Sequence, residues 1–170
     1  NTTFRQITDG FIKEDLGMLH KAESTMRRKR EELKNSRRKE MIGFRKIDPE
    51  VAMEKNTWFH LGRNSCEEIL YCLRRIADPC EEHVDNNFVP LSKEQVKEYI
   101  PLRDTVLFLL RRTEKILQTD SYDEVDEVRR EAEELKDCLE KAREAQMQRM
   151  QSSKENIAVA YLYLNLLQET

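Results

Sequence analysis

Glycine and proline are scarce in this chain, four of each among 170 residues. That scarcity argues against sheet. β-Architectures mark their hairpins with Asn-Gly or Asp-Gly pairs between alternating strands, and no such arrangement occurs here. Cysteine is also sparse. Cys66, Cys72, Cys80 and Cys138 form no C-x-x-C pair, so neither a zinc ribbon nor a disulfide framework is indicated, and reduced, buried thiols are expected. No apolar run reaches the roughly 18 residues that a bilayer span needs. The longest, residues 157–167, is interrupted by Asn165. Catalytic signatures are missing too: there is no Gly-rich phosphate loop, no nucleophile elbow and no H-E-x-x-H pair. The chain is therefore not expected to be an enzyme.

What is present is charge and helical periodicity. Asp, Glu, Lys and Arg make up 37% of the chain and apolar residues 38%, a balance that suits long helices in one domain. The net charge of −3 hides an asymmetry. Residues 21–46 hold eleven Lys and Arg against four Glu, a net of +7, so the remainder sums to −10.

The clearest helix is residues 50–87. Phe59, Gly62, Cys66, Ile69, Leu73, Ile76, Cys80 and Val84 recur at steps of three and four, widened by Leu61 and Leu70, and so share one face. This helix is expected to lie at the centre of a bundle, with the apolar Ile157–Leu167 segment as its counterpart. Asp48-Pro49 marks its start. Pro79 removes one backbone donor and frees the carbonyl of Arg75, which predicts a kink. Before it, Ile12, Leu16, Leu19, Met26 and Leu33 trace a thin apolar seam through a charged helix, about 10–44.

Capping boxes at Ser92–Gln95, Ser121–Glu124 and Ser152–Glu155 open three further helices, about 93–119, 121–151 and 153–170. The first buries Val96, Tyr99, Ile100, Val106, Leu107, Leu110 and Leu117, with a possible bend at Pro101. The second is acidic, with eleven Asp and Glu between 120 and 144. The fold expected is all-α, an antiparallel bundle of about five helices. Their order suggests two three-helix units: 1–90, lacking its opening helix, and 91–170. A shift of 91 residues sets Leu73 on Leu164, Ile76 on Leu167 and Asp78 on Glu169. The final Gln168-Glu169-Thr170 lies inside a helical pattern with no C-cap signal, and the chain is expected to be a piece of a longer membrane protein.

Two clusters bear on function. Asp78, Glu81, Glu82, His83 and Asp85 crowd two helical turns. Asp78, Glu81 and Asp85 are the metal candidates, with Glu81 and Asp85 four apart on one face. Acid pairs at this spacing also arise by chance in so charged a chain, and no metal and no cofactor are expected. The basic stretch offers Arg27, Arg28, Lys29, Arg30, Arg37, Arg38 and Lys39. On a helix such a run is usually a solvated face, and its functional alternative is contact with anionic lipid headgroups. It lacks the interleaved aromatics of single-strand binders, so nucleic acid is not an expected partner.

The segment Leu73-Arg74-Arg75-Ile76-Ala77-Asp78 resembles the L-E-R-I-G-D signature that closes each three-helix unit of PhoU domains. Residues 58–170 are similar to the cytosolic PhoU-like tail of bacterial inorganic phosphate permeases, above all in CEEILYCLRRIADPCEEHVDNNF, LSKEQ and LYLNLLQET. The resemblance implies a regulator of phosphate uptake at the cytoplasmic face of the inner membrane. Its implied partner is the transmembrane permease domain of the same chain; the basic stretch adds anionic lipid headgroups as candidate partners, and a homodimer stays open. PhoU domains hold iron or zinc through an acidic residue four before an aspartate. Here those positions are Arg74 and Asn165, and only Asp78 and Glu169 keep the acidic end. The resemblance therefore does not carry a metal site. Beside it stand a free helical scaffold or adaptor and a metal-binding regulator.

Overall fold

A computed structural model describes residues 2–44, 49–152 and 156–170. Among them are six helices and no strand: α1 (Thr2–Ile12), α2 (Leu16–Phe44), α3 (Pro49–Asp85), α4 (Lys93–Thr119), α5 (Val125–Ser152) and α6 (Ile157–Glu169). The all-helical bundle expected from composition and periodicity is what forms.

Six helices rather than five arise because the expected first helix is broken. Glu14 takes a left-handed φ of 54°, which stops α1. The Asp15 carboxylate then accepts from the Met18 N–H at 3.1 Å and starts α2, as a capping acid does. Gly10 lets the two helices close on each other. A Cβ there would meet the Met18 Cβ at 3.0 Å and the Leu19 Cγ at 3.1 Å. Phe4, Ile7 and Phe11 bury the inner face of α1. α1 is a helix of 11 residues, against 27 in α4.

Helices α1, α2 and α3 pack on one another, α5 packs on both α4 and α6, and the two groups meet through α1 against α4 and α3 against α6. One hydrophobic core runs through all six. It includes Phe4, Leu19, Ile76, Leu107, Ala142 and Leu166.

The central helix is buried only along its last third. Ile76, Ala77, Cys80 and Val84 are buried, but Gly62, Cys66 and Ile69 of the same face are exposed. Trp58 keeps 69% of its surface in water and Ile69 51%. The cause is length. α3 has 37 residues, whereas α1 and α6 have 11 and 13, so they cover one end of it. From about residue 27 onward α2 and the first part of α3 project as a two-helix arm in which no described side chain is fully buried. Cys66 is accordingly exposed, and only Cys80 is a buried thiol.

Local signals fare unevenly. The Ser92 box is complete, with the Ser92 Oγ accepting from the Gln95 N–H and the Gln95 side chain accepting from the Ser92 N–H. The Ser121 box does not form. Glu124 is drawn instead to Arg112, which also binds Glu127 and Glu131, and α5 starts at Val125. Ser153, Lys154 and Glu155 of the third box, and Asp48, lie outside the described residues. α6 is capped by Asn156, whose side chain accepts from the N–H groups of Ala158 and Val159. In α4 the buried position near the end is Ile116, and Leu117 faces water.

Pro79 and Pro101 both sit inside continuous helices. The carbonyl that Pro79 frees does find a donor: the Asn165 side-chain amide of α6 reaches the Arg75 oxygen at 3.3 Å. Arg75 also binds the carboxylate of Glu169 at 2.6 Å. The proline's missing backbone bond is thus turned into a lock between the two units.

Candidate functional site

The arm holds a groove. It lies between α2 and α3, has a volume of about 920 Å³, and is lined by Arg27, Arg30, Lys34 and Arg37 from one side and Arg63 and Arg74 from the other. The first four recur at steps of three, four and three, which puts them on one face of α2. Tyr71, Leu70 and Leu33 form its apolar part, and Glu23, Glu67, Glu68 and Asp78 its acidic part.

Some of these charges are spent within the chain. Arg27 binds Glu23, Lys34 binds Glu31, Arg63 binds Glu67 and Arg74 binds Asp78. The Lys34 ammonium, by hydrogen bond and charge, holds the Glu31 carboxyl below its ordinary range. Arg30 and Arg37 close no ion pair among the described residues. They are the cations left to meet an outside anion, and both are exposed. Exposed charges of this kind give an arm its long-range field.

The seven basic residues singled out from sequence are all exposed, but they do not act as one patch. Arg27, Arg30 and Arg37 line the groove. Arg28 and Lys29 turn to Glu32 at 3.7 and 2.7 Å. Arg38 and Lys39 stand outside the groove lining. Sequence reading missed Lys34, Arg63, Arg74 and Tyr71. The signal was available for Lys34, in its three-four spacing with Arg30 and Arg37. For α3 it lay in the polar face opposite the apolar one.

The carboxylate–imidazole cluster disperses. Asp78 pairs with Arg74, Glu81 lies 3.3 Å from His20, and Asp85 is exposed. His83 is buried, with Nε2 2.9 Å from the Val89 carbonyl and its ring edge-to-face with Phe11 and Phe88. It packs the α3–α4 loop onto the core. Among the described residues no three His, Cys, Asp or Glu side chains come together as metal ligands.

A second polar feature is internal. Glu98 of α4 accepts from the Tyr163 hydroxyl of α6 at 2.9 Å and from Arg149 of α5 at 2.8 Å. Arg149 also donates to the fully buried Gln146 at 3.0 Å. Burial, and then the Glu98 contact, pushes the Tyr163 phenol above its ordinary range. With each of these bonds made, the network reads as a register lock among α4, α5 and α6.

No family model matches this chain, and neither a curated protein nor a solved structure is detectably similar to it. The functional reading therefore rests on its own residues.

Proposed function

We propose that this chain is a PhoU-like regulatory module of an inorganic phosphate transporter. It works at the cytoplasmic face of the inner membrane, joined to the transmembrane permease domain of the same chain, and has no catalytic role. The observation that carries this reading is the pairing of two three-helix units, α1–α3 and α4–α6, through their opening and closing helices. The Leu73–Asp78 segment that resembles the PhoU signature lies at that junction. Regulation of this kind needs a body with two ways of packing on its permease, which a signal biases by binding one better. The arm, whose described side chains are not fully buried, supplies the surface that meets the permease.

The metal-binding version of this reading is weaker. Asp78 and Glu169, the positions that keep the acidic end of the PhoU pattern, are engaged by Arg74 and Arg75. A cation there would have to displace a guanidinium from each. No helix of the described residues is long and apolar enough to cross a membrane, so in this reading the membrane part belongs to other residues of the protein.

Fractionation of native cells with an antibody against this chain tests the proposal. A membrane-pelleted band much larger than 20.3 kDa, released only by detergent, is the expected result. A soluble band near that mass would replace the transporter module with a free helical adaptor.

A further inference from the structure

The groove on the arm has a counterpart elsewhere on the molecule. On α5, Glu133, Asp137, Glu140 and Glu144 recur at steps of four, three and four, so they share one face. All four are exposed. The buried residues of the same helix, Leu135, Ala142 and Gln146, lie on the opposite side. Glu133 is paired with Lys136, whereas Asp137, Glu140 and Glu144 close no ion pair among the described residues. The acidic stripe thus points outward and is largely unspent, as Arg30 and Arg37 are.

We infer that the groove between α2 and α3 receives the acidic outer face of α5 from a second copy of this chain. Charge complementarity selects this occupant: the groove is lined by six Lys and Arg against four Asp and Glu, with Arg30 and Arg37 outside any ion pair among the described residues, and the stripe that meets it is wholly acidic. Shape agrees. The α2 wall of the groove runs from Glu23 to Arg37, about 21 Å of helix, and the stripe from Glu133 to Glu144 occupies about 17 Å. A channel that long suits a helix better than a small anion. Each copy has one groove and one stripe, so a two-fold pair satisfies both at once and leaves no open end to propagate. This surface does not depend on the transport reading.

Sedimentation equilibrium of the 170-residue chain at about 20 mM and about 0.5 M salt tests the inference, since exposed ion pairs are screened over that range. The expected mass at low salt is twice 20.3 kDa, falling towards the monomer at high salt. The Arg30→Glu/Arg37→Glu variant and the Asp137→Lys/Glu140→Lys variant each weaken association at least about tenfold, and one chain carrying all four changes recovers it to within about threefold. All four positions are exposed, and circular dichroism checks that each variant is folded. A monomer at low salt overturns the inference, as does a fourfold variant no better than the double ones. A monomer that instead pellets with phosphatidylserine vesicles through Arg30 and Arg37 also overturns it, and assigns the groove to lipid.

Discussion

Leu166→Ala lowers the unfolding free energy by about 3 kcal/mol, within the range for truncating a buried leucine. Leu166 is 1% exposed on α6 and belongs to the core that runs through all six helices. The loss comprises the transfer of the missing methyl groups and a cavity that rigid helices cannot close. Because the core is continuous, the variant still unfolds in one transition, at lower denaturant. Urea titration followed by far-ultraviolet circular dichroism reads both quantities. Ile69→Ala is the matched control. It removes a similar side chain from the apolar face of α3, but Ile69 is half exposed, and the cost is about 0.5 kcal/mol or less. Equal costs at the two sites would mean that the arm is covered in the folded monomer, contrary to the fold described above.

The second large effect is at Glu98. Glu98→Ala costs about 2–3 kcal/mol, because it leaves the Arg149 guanidinium and the Tyr163 hydroxyl without their shared acceptor. The figure is held down by solvent, since the side chains of Glu98 and Arg149 are 29% and 36% exposed. Glu98→Gln keeps an acceptor of the same shape and costs about 1 kcal/mol. The pH dependence has a definite sign. Burial raises the phenols of Tyr99 and Tyr163 above their ordinary range, helped in Tyr163 by Glu98. The folded chain therefore keeps both protonated where the unfolded chain loses its protons. Their contribution is complete below pH of about 10 and is lost as pH rises above it. Denaturant midpoints measured between neutral pH and pH of about 11 check this. A midpoint that does not fall over that range would contradict the burial of these rings.

How much of this was legible in the sequence depends on whether the cause was local. The Ser92 capping box and the orphaned Arg75 carbonyl each follow from a few neighbouring residues, and each is found. Burial of α3 is not local. The three-four pattern from Phe59 to Val84 marks one face correctly, but only the lengths of α1 and α6 decide that this face is covered at Ile76 and bare at Ile69. The α1–α2 break was missed for a similar reason. Gly10 and Asp15 look unremarkable in a helical pattern, and their role appears only when two helices close on each other. Glu124 fits a capping box by spacing, yet Arg112, twelve residues earlier, offers its carboxylate a stronger partner. The basic run was visible as composition. Its division into groove-lining and outward charges needed α3 to be placed beside α2.

The groove links the fold to the proposed function, because it holds the cations Arg30 and Arg37, which close no ion pair among the described residues. Radiolabelled phosphate uptake tests that most directly, in native cells whose own copy of this chain carries Arg30→Glu and Arg37→Glu. At equal protein abundance, uptake is expected to differ from wild type at least about threefold across the range of external phosphate, as a shifted balance between transporting and closed states requires. Uptake that superimposes on the wild-type curve at every phosphate concentration would contradict the account.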